Sequence, residues 1–122
     1  MKRLFIVTSL LEGATGLALM IVPSLVINLL LGSPLTDSIS IIVARVAGSV
    51  LVSISIACWT LRKNESVKSL IIALLFYNLA SVVLLTSAGM QASTTGIALW
   101  PAVITHFGMS LWCGKLIYIM EV

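Results

Sequence analysis

The segment from Ile39 to Leu61 restricts the possible folds of this chain more than any other stretch. It is 23 residues long, and Arg45 is the one charged residue within it. About 20 apolar residues in helical conformation cross the hydrocarbon core of a bilayer, and an apolar run of this length is typical of such a helix. The segment therefore predicts a membrane-spanning helix with one charge inside it.

The composition extends this interpretation to the whole chain. Of its 122 residues, 60% are hydrophobic and 9% are charged, and the mean hydropathy is +1.19. A soluble domain carries about 25% charged residues, so this chain has too few of them to cover a water-facing surface. We therefore expect an integral membrane protein whose main partner is the lipid bilayer.

Four apolar segments predict an all-α, antiparallel four-helix bundle that spans the membrane. The expected spans are residues 4–22, 38–61, 67–87 and 97–120, within a single integral membrane domain that covers residues 1–122. The first span begins like a signal peptide after Lys2 and Arg3, but Glu12 interrupts its apolar core and no convincing cleavage site follows. We therefore expect this span to be retained as a helix.

A short apolar segment lies between spans one and two. Pro23 suits the first turn of a helix, and Gly32 and Pro34 follow about two turns later. The eight residues 24–31 are too few to cross a bilayer, so we expect them to form a short interfacial helix, or an extension of the first helix beyond a kink. Asp37 or Ser38 then provides a cap for the second span.

Basic residues predict the topology. Positively charged residues accumulate in the cytoplasmic loops of membrane proteins. One side of the predicted bundle carries most of them, and the other side carries Asp37 and no Lys or Arg. The basic residues on the first side are Lys2, Arg3, Arg62, Lys63 and Lys68. We therefore expect both termini to be cytoplasmic, in the inner membrane of a bacterium.

Polar side chains at mid-depth identify the candidate site. Glu12 and Arg45 are the two charges deep within the spans, and they lie on consecutive helices. With a rise of about 1.5 Å per residue, Glu12, Arg45, Asn78 and His106 fall in one slab about 8 Å thick. We predict that they meet inside the bundle as a binding site, with Tyr77 and Ser49 extending the same faces.

Each of these residues has a structural and a functional interpretation. A buried Glu12–Arg45 ion pair would fix the register of two helices, or it would polarise a ligand or handle protons. His106 is the one histidine in the chain. It is interpreted as a hydrogen-bonded core residue, with a single axial haem ligand or a ligand shared across a dimer as alternatives. No metal site is predicted, and the cofactor is unknown. The spacings Gly13-x-x-Gly16 and Ala44-x-x-x-Gly48 are typical of close helix packing.

Other functional classes find little support in the sequence. The net charge is +3, but the basic residues stand at the ends of apolar segments rather than in one patch, so nucleic acid is not an expected partner. Cys58 and Cys113 lack the spacing of a metal or redox motif. No serine has a histidine and an acid at motif spacing, and no phosphate-binding loop is present.

The second predicted helix carries a family resemblance. Ala44-Arg45-Val46-Ala47-Gly48, with Ala57-Cys58-Trp59 at the end of the same helix, resembles the small four-helix bacterial membrane proteins of the DoxX-like superfamily. The four-span layout extends this resemblance over the whole chain. It implies a four-helix bundle in the cytoplasmic membrane, and some members of that group are associated with quinone-linked redox complexes.

Three functions are consistent with these observations. The first is a small membrane protein that binds a hydrophobic molecule, such as a quinone or a lipid, or a partner helix, at the buried polar cluster. The second is a subunit of a quinone-linked membrane redox enzyme, with Glu12 and His106 as proton carriers. The third is a small dimeric transporter, with Glu12 as its coupling carboxylate. A homo-oligomer or a larger membrane complex is possible in each case.

Overall fold

A computed structural model of the chain describes residues 1–64, 67–91 and 93–121. Within these ranges the protein is helical and contains no strand. Its elements are α1 (Lys2–Ile21), α2 (Pro23–Leu31), α3 (Ser38–Leu61), α4 (Lys68–Gly89) and α5 (Leu99–Glu121). All of these except α2 are long and apolar enough to cross a membrane. The sequence predicts a polar turn over residues 62–68 and an uncharged loop over residues 88–96, and residues 65, 66 and 92 of these segments lie outside the described ranges.

The helix ends follow from local sequence. Pro23 opens α2, where its missing N–H is not needed, and Gly32 ends α2 with a φ of 75°, a left-handed conformation that favours glycine. Asp37 caps α3, because its carboxylate accepts a hydrogen bond of 2.8 Å from the backbone amide of Ser40. The prediction that Asp37 or Ser38 caps this helix is therefore confirmed, with Asp37 as the cap.

Small residues bring α1 and α3 into close contact. A Cβ atom built on Gly16 would lie 2.6 Å from the carbonyl oxygen of Gly48, and one built on Gly48 would lie 2.7 Å from that of Gly16. The hydroxyl of Ser55 donates to the carbonyl oxygen of Ser9 over 2.7 Å. The predicted packing role of Gly16 and Gly48 is thus confirmed, since any side chain at either position would separate the two backbones.

A buried apolar core joins all four long helices near their basic ends. It combines the first turns of α1 and α4 with the last turns of α3 and residues from the second half of α5. The members of this core are Leu4, Phe5, Cys58, Val67, Ile71, Leu74, Met109 and Cys113. Both cysteines are completely buried free thiols, as expected for apolar fillers.

The long helices form two pairs, α1 with α3 and α4 with α5, and α2 contacts both pairs at the end far from this core. Its last turn accepts two hydrogen bonds from the segment that leads into α5: Gly96 N–H donates to the Leu30 carbonyl over 3.1 Å, and Ala98 N–H donates to the Leu29 carbonyl over 2.8 Å. A Cβ atom built on Gly96 would lie 2.1 Å from the Leu29 carbonyl oxygen. The absence of a side chain at Gly96 is therefore what allows this contact.

Candidate functional site

A cavity of about 490 Å³ lies between the core and α2, and every helix contributes to its walls. Most of its lining is apolar. The larger apolar side chains that line it are Leu11, Leu19, Val26, Ile27, Leu29, Leu30, Leu51, Leu84, Leu85 and Met109. Its volume and composition are those of small-molecule sites, which are typically about 300–1,000 Å³, with a few placed polar groups among apolar walls.

Glu12 and Tyr77 form the first polar contact in the cavity wall. Glu12 is 7% exposed, and its Oε2 accepts a hydrogen bond of 2.9 Å from the Tyr77 hydroxyl. The two residues stand on α1 and α4, so the contact links the two helix pairs. The partner of the buried acid is thus a phenol, a neutral group.

Asn78 and His106 form the second polar contact. Asn78 is 2% exposed; its Nδ2 donates to the Leu74 carbonyl over 2.7 Å, and its Oδ1 lies 2.9 Å from His106 Nδ1. Since the amide nitrogen is the donor to Leu74, the amide oxygen is the atom that faces the imidazole, and Nδ1 must carry the proton between them. This geometry assigns the tautomer of His106.

A ring contact joins the two pairs into one group, which we call the polar cluster: Glu12, Tyr77, Asn78 and His106. The rings of Tyr77 and His106 meet edge to face, with centroids 5.5 Å apart and planes at 84°. This arrangement is favourable for aromatic rings and places Tyr77 in contact with both the carboxyl group and the imidazole. The four side chains therefore form a continuous polar patch on the cavity wall.

Two atoms of the polar cluster have no hydrogen-bond partner among the described residues: Glu12 Oε1 and His106 Nε2. Both residues line the cavity, so a molecule bound there lies beside the two groups that carry these atoms. The cavity wall also contains three aliphatic hydroxyl groups: Ser81 donates to the Tyr77 carbonyl and Thr105 to the Pro101 carbonyl, and Thr15, which has no such bond among the described residues, is exposed. The carboxyl group and the imidazole are therefore the main polar anchors.

Arg45 does not belong to this group, and the predicted Glu12–Arg45 ion pair is wrong. The guanidinium is exposed, and it makes no ion pair or hydrogen bond with the part of the chain that the structure describes. Ala44 and Gly48 occupy the face of α3 that packs on α1. Arg45 is about 60° from Gly48 around the helix, so it lies at the edge of that face, and its side chain is exposed.

Ser49 also lies outside the cavity, contrary to the prediction. It follows Gly48 by one residue, is exposed, and donates to the Val46 carbonyl of its own helix over 2.7 Å. Of the six predicted site residues, the structure brings together Glu12, Tyr77, Asn78 and His106, and it places the two residues of α3 elsewhere.

The sequence did not indicate the contribution of α2 or of Thr105. Val26, Ile27, Leu29 and Leu30 of α2 form part of the cavity wall. Their sequence predicts a short apolar helix but carries no sign that it covers a cavity. Thr105 precedes His106 directly, and helical spacing from Ala102 and Met109 would have placed it on the same side of α5.

No family model, curated protein or solved structure matches this chain. Among the described residues, no three His, Cys, Asp or Glu side chains come close enough to bind a metal ion together.

Proposed function

We propose that this chain is an integral membrane protein that binds a hydrophobic small molecule in the cavity, with the polar head of that molecule at the polar cluster. The observation that supports this most is the placement of one polar patch, contributed by α1, α4 and α5, in an otherwise apolar cavity of about 490 Å³. Burying a carboxyl and an imidazole costs free energy unless they are hydrogen-bonded, and a ligand head would complete their hydrogen bonds.

The same proposal includes an antiparallel four-helix bundle with cytoplasmic termini in a bacterial inner membrane. In support, the core combines the start of α1 with the end of α3, and Lys68 at the start of α4 forms a 2.9 Å ion pair with Glu121 at the end of α5. The basic residues gather at that same end, which favours a cytoplasmic location. The bacterial assignment rests on the resemblance of Ala44–Gly48 to DoxX-like proteins.

Arg45 favours a second candidate function, contact with another membrane component through the exposed face of α3. A cation that faces hydrocarbon is costly unless it reaches an anion or the membrane surface. A subunit of a quinone-linked enzyme would use both features, since it needs a ligand cavity and a protein partner. A small transporter would need the cavity to open alternately to both sides, and proton-coupled uptake in vesicles would support it.

The cavity proposal is tested by filling the cavity. Ala102 lines it and is half-buried on α5, whereas Ala73 on α4 is exposed and does not line it. We expect Ala102→Phe to weaken binding of the probe monoolein, measured by native mass spectrometry after delipidation, by about tenfold or more, which corresponds to about 1.4 kcal/mol. Ala73→Phe is the matched control and should bind normally.

Equal binding of monoolein by both variants and the unsubstituted protein would contradict the cavity proposal. If Ala102→Phe and Ala73→Phe bind monoolein as well as the unsubstituted protein, the amphiphile does not occupy this cavity. In that case the proposed function is wrong, whatever the affinity of the protein for lipids in general.

A further inference from the structure

We propose that the head of the bound molecule is a hydrogen-bond donor, and specifically a hydroxyl group, so that the ligand is a lipid alcohol rather than a ketone, ester or quinone. This inference rests on the proposed function, because it names the ligand class of the same cavity. It follows from the two atoms of the polar cluster that have no partner among the described residues.

The hydrogen bonds of the Asn78 amide group fix its orientation. Its Nδ2 donates to the Leu74 carbonyl over 2.7 Å, and the opposite orientation would place the amide oxygen against that carbonyl oxygen. The amide oxygen therefore accepts from His106 Nδ1–H over 2.9 Å. With its proton on Nδ1, a neutral imidazole presents Nε2 as a hydrogen-bond acceptor.

The acceptor His106 Nε2 has no hydrogen-bond donor among the described residues. Nε2 needs a donor, and the hydroxyl group of Tyr77, whose ring packs against the imidazole, already donates to Glu12 Oε2. A ligand carbonyl has no proton to donate, so it would leave Nε2 without a partner. A ligand hydroxyl donates to Nε2 and keeps its own oxygen as an acceptor.

Glu12 supplies the second polar group that a ligand head would meet in the cavity. Its Oε1 has no partner among the described residues, and Tyr77 contacts both Glu12 and His106, so the carboxyl group and the imidazole lie on either side of one side chain. A protonated carboxyl would donate to the ligand oxygen, and a carboxylate would accept from a second hydroxyl of a diol. In both protonation states a hydroxyl head matches the cluster, whereas a carbonyl head matches only the carboxyl.

A matched ligand pair tests this inference. Cyclododecanol and cyclododecanone share one carbon skeleton and differ in the presence of a donor. We expect the purified protein to bind the alcohol about tenfold more tightly or better, since an unpaired buried acceptor typically has a penalty of that size. In His106→Phe, which keeps a ring but has no Nε2, this preference should disappear, and Ser49→Ala, outside the cavity, should keep it.

Nitrogen NMR supplies a readout that a folding defect does not imitate. The chain contains one histidine, so protein with isotope-labelled histidine reports His106 alone. We expect a protonated Nδ1 and an unprotonated Nε2 without ligand, and a shift of the Nε2 signal on addition of the alcohol but not of the ketone. In Asn78→Leu, which removes the acceptor of the Nδ1 proton, the preference for this tautomer should be lost.

The possible failures are distinct. If both probes bind with equal affinity, displace monoolein and leave Nε2 unchanged, the ligand is not selected by a donor and this inference is overturned while the cavity proposal stands. If neither probe binds and Ala102→Phe has no effect on monoolein, the proposed function itself is overturned.

Discussion

The contact between Gly16 and Gly48 gives the sharpest prediction about stability. In Gly16→Ala, the new methyl group would lie 2.6 Å from the Gly48 carbonyl oxygen and 2.9 Å from the Val52 amide nitrogen, whereas ordinary contacts begin near 3.4 Å. Two helix backbones would therefore have to move apart by most of an ångström. Forcing an extra methyl into a packed interface typically costs about 1–3 kcal/mol.

The net effect is smaller than this, because alanine favours a helix over glycine by about 0.5–1 kcal/mol. We expect Gly16→Ala to lower the free energy of unfolding by about 0.5–2 kcal/mol, and Gly48→Ala to do the same. Because both substitutions open the same gap, the double variant should lose less than the two single losses added together.

Other glycines of the chain supply the controls. Gly108 and Gly114 on α5 have no atom within 4 Å of a built Cβ, so alanine at either position should leave the protein unchanged or stabilise it by about 0.5–1 kcal/mol. Gly13 is intermediate, because its Cβ would meet the Ser55 hydroxyl oxygen at 2.8 Å, and a side chain moves more easily than a backbone.

The assay is unfolding in mixed micelles by increasing SDS, followed by circular dichroism. The expected order of stability is Gly108→Ala, then Gly13→Ala, then Gly16→Ala. If Gly16→Ala unfolds at the same SDS fraction as Gly108→Ala, the close approach of α1 and α3 is refuted.

Three further predictions concern Arg45, Gly96 and Asp37. Arg45→Leu should leave the SDS fraction at the unfolding midpoint unchanged, because the exposed guanidinium has no partner among the described residues, whereas loss of a buried ion pair would cost about 3–5 kcal/mol in the same assay. Gly96→Ala should release α2, seen as faster hydrogen exchange of the Ala98 amide and weaker monoolein binding; unchanged protection would contradict this. Hydrogen bonds from the side chain and the backbone amide of Ser40 hold the pKa of Asp37 below its ordinary value of 3.8. The cap should therefore persist as the pH falls to 3.8 and be lost at lower pH. A midpoint above pH 3.8 in the NMR titration of the Ser40 amide chemical shift would contradict this.

The sequence predicts the helix boundaries well, for local physical reasons. The expected span 38–61 coincides with α3, because Asp37 caps it and polar residues follow Leu61. The other three spans differ from the structure by at most two residues at each end. The length of an apolar run and the residues that cap or break a helix are encoded locally, so they can be read without knowledge of packing.

The rotation of each helix about its axis was harder to predict. The long helices are apolar on all sides, so periodicity does not identify an inner face, and the prediction relied on the expected burial of polar groups. That reasoning succeeded for Glu12, Asn78 and His106, which line the cavity. It failed for Arg45, which lies at the edge of the α3 face that packs on α1 and is exposed.

The position of Arg45 explains how the exposed charge is tolerated. It lies seven residues after the start of α3, or about 10 Å along the axis. Side chains on a helix lean toward its N-terminus, so in the proposed membrane orientation the long Arg45 side chain would extend toward the membrane surface. The sequence alone does not show whether the Arg45 side chain pairs with Glu12 or extends outward.

Photo-crosslinking tests the central claim most directly, namely that an amphiphile lies in the cavity with its head at the polar cluster. The probe is a long-chain alcohol with a diazirine beside its hydroxyl group, and the adducts are mapped by mass spectrometry. We predict adducts on Glu12 or Tyr77 that excess monoolein removes. Adducts confined to the outward-facing Phe76, Val83 and Ile104 would contradict the claim, because these side chains are at least two-thirds exposed and lie outside the cavity.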